Sequence, residues 1–183
     1  MNTNRLSAKL QKALNVQMTQ EAHSAQIYLA LASWLAEKGY DGVANFLFRH
    51  ANEERNHMMK FLEYILERGS TVKIEAIPDP GMKPISVYDC FEKAFLQEVD
   101  NTESIYKIVR LSFDESDWAT WNFLQWFVKE QTEEETLVMN MLDKLKIAGV
   151  KNVSGESLYS FDRDLIWTPD DADLGQNKTL EAP

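Results

Sequence analysis

Glu53-Glu54-Arg55-Asn56-His57 lies in the middle of a segment whose apolar spacing predicts one long helix. Glu54 and His57 are nearly one helical turn apart, so a carboxylate and an imidazole project from the same face and can converge on one point. The apolar stripe of that helix runs Val43, Leu47, His50, Glu54, His57, Phe61, Tyr64. Glu54 and His57 therefore stand where core side chains belong. A buried carboxylate without a partner shifts its pKa or destabilises the fold by several kcal/mol. Something cationic is expected to face it, and the point of convergence suits a metal ion.

Outward from this stretch, the helix is predicted to run from about residue 42 to 68 and to stop at Gly69. Before it, residues 4 to 38 carry Leu14, Met18, Glu21, Ala25, Tyr28, Ala32 and Leu35 at helical spacing, with Glu21 interrupting the apolar face. Gly39 reads as the residue after the first helix and Asp41 as the N-cap of the second, so a short turn makes the two antiparallel neighbours. At ~1.5 Å per residue each helix is roughly 40 to 50 Å long.

Residues 70 to 85, with Pro78-Asp79-Pro80-Gly81 and Pro84, break the pattern. A connection of this length exceeds what adjacent helices need and implies one long crossover in a four-helix bundle. Ser86 with Asp89 caps a third helix, whose stripe is Phe91, Phe95, Glu98, Thr102, Ile105, Val109. After an interruption at 114 to 117, a fourth helix reaches about Ala148, with the stripe Phe123, Phe127, Glu130, Glu134, Leu137, Met141, Leu145. Leu158, Phe161 and Leu165 mark a short fifth helix. The expected organisation is one all-α domain over residues 1 to 167 and a disordered acidic tail over 168 to 183.

The bulk properties agree with this layout. Seven Gly and 5 Pro in 183 residues favour helices, and 44% hydrophobic with 26% charged residues is a globular composition. A formal net charge of −10 argues against nucleic acid as a partner and suits a protein that attracts cations. The single Cys90 excludes an intrachain disulfide and fits a reducing compartment. No apolar run has the length of a signal peptide core or of a membrane span, so a cytoplasmic location without membrane association is expected.

Each of the four long helices thus places a carboxylate near mid-length on its core face: Glu21, Glu54 with His57, Glu98, and Glu130 with Glu134. One such Glu is explained by a register slip that returns it to solvent. Four in matching register with a His are not, because unbalanced negative charge in a core requires cations. Oxygen-rich ligation with one imidazole suits iron or manganese, and the lack of Cys ligands speaks against structural zinc.

At these residues the chain resembles the ferritins, most closely the bacterial non-haem ferritins. The likeness spans about residues 5 to 166 and is most specific at His50-Ala51-Asn52-Glu53-Glu54-Arg55-Asn56-His57 and at Phe123-Leu124-Gln125-Trp126-Phe127-Val128-Lys129-Glu130-Gln131. The resemblance implies that Glu21, Glu54 and His57 hold a first iron, with Glu54 bridging to a second iron on Glu98 and Glu134, and that Gln131 stands beside the pair. It implies a third iron site at Glu53, Glu130 and Glu133. Tyr28 matches a tyrosine beside the centre in this family, although an aromatic in a helix stripe is more often core packing. Trp126 reads as core packing, His50 as a hydrogen-bonded core histidine without a ligand role, and His23 as a surface residue. The function implied is iron storage with ferroxidase activity: O2 oxidises paired Fe(II), and Fe(III) mineral collects in a hollow shell of about twenty-four subunits.

Two departures from the family matter. Bacterioferritins bind haem through a Met directly after the bridging Glu; Arg55 stands there, so no haem is expected. Asn122 and Gln125 occupy the positions of the acidic pore residues of animal ferritins, leaving Asp114, Glu115 and Asp117 as an alternative acidic mouth. The rival readings are a di-iron oxidase or peroxidase of rubrerythrin type, whose Cys-rich iron domain one Cys cannot build, and a metal-free helical interaction protein.

Overall fold

A computed structural model describes residues 3–149 and 155–166. Among them the chain forms α1 (Ala8–Glu37), α2 (Asp41–Glu67), α3 (Val87–Asp114), α4 (Trp118–Ile147) and α5 (Gly155–Ile166), with no strand. The fold is the all-α four-helix bundle expected, with one long crossover and a short fifth helix. The acidic tail expected over 168 to 183 lies outside the described residues.

Local chemistry accounts for most helix ends. Ser7 caps α1 by accepting from Leu10 N, Ser86 caps α3 by accepting from Asp89 N, and Asp117 caps α4 by accepting from Thr120 N. After α1 the chain turns through Gly39 at φ 81°, a left-handed conformation that a Cβ would strain. The start of α2 differs from the sequence expectation. Asp41 is the first helical residue and Tyr40 sits at the N-cap with no side-chain bond. Instead Asp162 of α5 reaches across and accepts from Val43 N at 2.9 Å. The cap is supplied from 119 residues away. Gly42 permits it, because a Cβ there would sit 1.9 Å from the Asp162 carbonyl oxygen.

The crossover from residue 70 to 85 has no regular structure. Its first part is tied down by the buried Asn15 of α1, whose amide donates to Thr71 O at 3.1 Å while its oxygen accepts from Lys73 N at 2.6 Å. One side chain thus satisfies two backbone groups that no ladder serves.

The apolar core divides into two clusters. One joins Ile27 to Leu35 of α1, Val43 to Ala51 of α2, Val87 to Ala94 of α3 and Val138 to Leu145 of α4, closed by Leu165 of α5. The other joins Leu6 to Met18, Phe61 to Ile65, Ile105 to Ile108 and Leu124 to Phe127. Since α2 and α3 both begin in the first cluster and end in the second, they run parallel, which is what the crossover achieves. Between the clusters lies a polar layer. The face of α4 is also rotated from the predicted stripe: its buried line passes through Leu124, Gln131 and Val138, while Phe123, Glu130 and Leu137 are half-buried.

Candidate metal centre

The polar layer is built from one or two turns of each long helix. Glu21, Glu53, Glu54, Glu98 and Glu134 are all buried, and among the described residues no Lys or Arg is. The five buried carboxylates therefore face no buried Lys or Arg, although an ion in a low-dielectric interior demands a partner.

Glu21, Glu54 and His57 converge: one ligand atom of each lies within 4.8 Å of the others. His57 Nδ1 is 3.7 Å from Glu54 Oε1, the pair one helical turn apart. Trp126 and Phe127 present their edges to the His57 ring at centroid distances of 5.4 and 5.9 Å. Enclosed in this way, the imidazole is held by burial down to about 4, so it is neutral at pH 7 and has a lone pair for a metal. Burial raises Glu21 to about 7. Glu54 and Glu134 are pushed well above the ordinary carboxylate range, first by burial and then by the neighbouring glutamates. A hydrogen bond between Glu54 and Glu21 raises the first further and partly offsets the rise of the second.

Glu98 completes the layer from α3. Its oxygens accept from the Tyr28 hydroxyl at 2.5 Å and from Gln131 Nε2 at 3.1 Å. Tyr28 is therefore more than packing, because its buried hydroxyl holds a candidate ligand. Gln131 also donates to Thr102 Oγ1 at 3.3 Å.

A second group joins His50, Glu53 and Glu134, with His50 Nδ1 at 3.4 Å from Glu53 Oε2 and 3.6 Å from Glu134 Oε2. The sequence reading gave His50 no ligand role, yet its contacts are carboxylates. The signal was its i, i+3 spacing from Glu53, the same rule that marked Glu54 and His57. Burial acts to raise Glu53, but hydrogen bonding and charge from His50 outweigh it and the net shift is downward. A third group joins Glu53, His57 and Glu130. Half-buried Glu130 is raised to about 7 by burial, then by the charges of Glu53 and Glu133.

Glu133 is not gathered with them. It is exposed and pairs with Lys129 at 3.1 Å, because consecutive helical residues are turned about 100° and Glu134 already takes the inward direction. Trp126 packs against Phe127 and lies under Lys60, whose ammonium is 4.4 Å from the ring. His23, expected at the surface, is half-buried with Nε2 enclosed.

The donor set fits a hard cation. Oε2 of Glu54 and Glu134, Oε1 of Gln131 and Nδ1 of His57 are buried and meet no hydrogen-bond partner. Such groups are costly unless something bonds them, and carboxylate oxygens with one imidazole per group are the ligands of iron and manganese. A four-helix bundle carrying a carboxylate-rich layer of this kind defines a class of metal-binding bundles. Comparison with known proteins narrows it. Residues 11–148 match the family described as "Ferritin-like domain". The chain is 39% identical over 158 residues to the bacterial non-heme ferritin of Campylobacter jejuni, covering 86% of this chain and 93% of that one. It is 34% identical over 160 residues to that of Escherichia coli, covering 87% and 95%. Among solved structures, an open pore ferritin from the archaeon Archaeoglobus fulgidus superposes with a TM-score of 0.86 at 35% identity, over 90% of this chain and 99% of the other. The chain belongs to the ferritin family.

Proposed function

We propose that the protein is an iron-storage ferritin that oxidises Fe(II) with O2 inside each subunit and stores the ferric product in a shell of twenty-four copies. The observation that carries this reading is the set of five buried glutamates with, among the described residues, no buried Lys or Arg. Glu21, Glu54 and His57 take one Fe(II), and Glu54, Glu98 and Glu134 a second. Two adjacent Fe(II) ions each give one electron, and the two together take O2 with two protons to hydrogen peroxide as both ions become Fe(III). Anionic oxygens favour the ferric state, Tyr28 and Gln131 hold Glu98 in place, and Trp126 with Phe127 keeps water from His57.

Glu53 and Glu130, with His50 near at hand, form a third iron site beside the pair; Glu133 joins it on turning from Lys129. This site changes how many Fe(II) ions are oxidised per O2 and is dispensable for the first fast step. Glu130→Ala therefore keeps the initial oxidation phase and alters the Fe-to-O2 ratio and later turnover. A ratio and turnover equal to wild type would reduce these residues to a solvated acidic face.

The reading as a whole is tested by anaerobic Fe(II) titration followed by O2, with particle size measured on the same sample. Two Fe(II) bound tightly per chain, rapid oxidation and a large closed particle are expected. A monomer or dimer that oxidises iron without retaining mineral would replace storage with a di-iron oxidase. Failure to bind Fe(II) would remove the proposal entirely.

A further inference from the structure

The carboxylates of the layer differ in how the protein holds them. Glu54 and Glu134 each leave one oxygen with no hydrogen-bond partner. Glu21 is held on both. Gln17 Nε2 donates to Glu21 Oε1 at 2.7 Å and to Asn101 Oδ1 at 2.6 Å, and Asn101 Nδ2 donates to Glu21 Oε2 at 3.1 Å. The three side chains close a ring across α1 and α3, each 0% exposed. The ring also has a direction. Ser104 Oγ lies 2.7 Å from Gln17 Oε1 and donates to it, so the Gln17 amide must present its nitrogen, the only end that can donate, to Glu21 and Asn101.

Two fully buried amides are an expensive way to fill space, and apolar side chains of similar volume would serve packing alone. Each gives a donor to the same carboxylate, and the second Gln17 donor ties the two amides together. Each Glu21 oxygen gives one lone pair to an amide, which fixes the carboxylate plane and leaves the remaining lone pairs for the group it shares with Glu54 and His57.

We propose that Gln17 and Asn101, oriented by Ser104, are positioning residues that hold Glu21 as a rigid ligand, so that the Glu21–Glu54–His57 side of the centre takes its metal first and in one geometry. Glu54 and Glu134, without such donors, are the ligands that reorient when the second metal arrives. This rests on reading the layer as an Fe(II) site.

The test uses Co(II), whose visible absorption reports ligand geometry without oxidation, titrated anaerobically into the intact assembly of wild type, Gln17→Met, Asn101→Leu and Ser104→Ala. Loss of a partner that orients a ligand costs about tenfold or more in metal affinity. The tightest Co(II) step is therefore expected to weaken about tenfold in the first two variants, with an altered spectrum and an unchanged number of sites. Ser104→Ala keeps both donors but frees the Gln17 amide to turn, and gives a smaller change in the same direction. A lower melting temperature with wild-type Co(II) affinity and spectrum would make the ring merely structural and overturn the proposal. Should Gln17→Met and Asn101→Leu fail to assemble, Ser104→Ala decides: wild-type affinity and spectrum overturn it. A wild type that neither binds Co(II) nor oxidises Fe(II) removes the iron site and this proposal together, whereas a wild type that does both beside unaltered variants removes the positioning role alone.

Discussion

Burial and mutual repulsion of Glu21, Glu54 and Glu134 make the metal-free centre sensitive to pH. Glu21 is raised to about 7 and Glu54 and Glu134 lie higher than usual, so the stability these groups contribute is complete below the ordinary carboxylate pKa and is lost as pH rises through their folded values. His57, held down to about 4, acts in the opposite sense, but only below its unfolded pKa of roughly 6.5. Above that pH the glutamates alone set the slope. The melting temperature of chelator-treated protein is expected to fall between pH 6.5 and 8, less steeply in Glu54→Gln, and to stay level when a divalent metal fills the centre; calorimetry at fixed ionic strength checks this. Glu54→Ala and His57→Ala should each slow the fast phase of Fe(II) oxidation at least tenfold while far-UV circular dichroism stays unchanged, since first ligands matter at least as much as the groups that orient them. Fast oxidation in both variants would move the centre elsewhere.

These residues were legible in the sequence because a carboxylate in a helix's apolar stripe contradicts the stripe, and four contradictions at one depth reinforce each other. His50 was read as a hydrogen-bonded core histidine because an imidazole is at home in a core, although its i, i+3 spacing from Glu53 carried the signal of its carboxylate contacts. Gln17 and Asn101 were invisible for a related reason: an amide on a helix reads as solvated until the opposite helix is known. Glu133 points outward to Lys129 because adjacency to Glu134 in sequence places it about 100° around the helix.

At the scale of elements, helix existence and the crossover followed from Pro, Gly and capping residues acting within four positions of themselves. The start of α2 did not, because its cap comes from α5. Asp162→Ala should cost about 1 kcal/mol, the usual value of a side-chain cap. Gly42→Ala tests the same contact with two effects in opposition. Alanine gains up to about 1 kcal/mol of helix propensity over glycine, but its Cβ would lie 1.9 Å from a backbone oxygen that cannot rotate away. Overpacking of this kind costs roughly 1–3 kcal/mol, so the clash wins and α5 is displaced from α2. Thermal denaturation and limited proteolysis of α5 measure both variants, and a Gly42→Ala protein more stable than wild type with α5 still protected would refute the close approach. The rotation of the α4 face was missed because Phe123 drew the stripe toward itself; Phe127 is buried as read, and only packing shows Leu124 and Gln131 to be deeper than Phe123 and Glu130.

Across the whole molecule, the interruption of the apolar interior by a layer of like charges separates cohesion from chemistry. Each long helix is gripped by hydrocarbon at both ends and crosses the centre where, without metal, its neighbours repel it. Local opening follows the density of buried apolar contacts, so the backbone should breathe most at mid-span rather than at the ends. In amide hydrogen exchange the metal-free protein should show two protected blocks per helix with a faster window around residues 17 to 21, 53 to 57, 98 to 101 and 131 to 134, and metal should close all four windows together. Uniform protection along each helix in the absence of metal would mean that the layer coheres unaided. If the windows are found, the bound cation is the rivet that turns two half-bundles into one continuous rod.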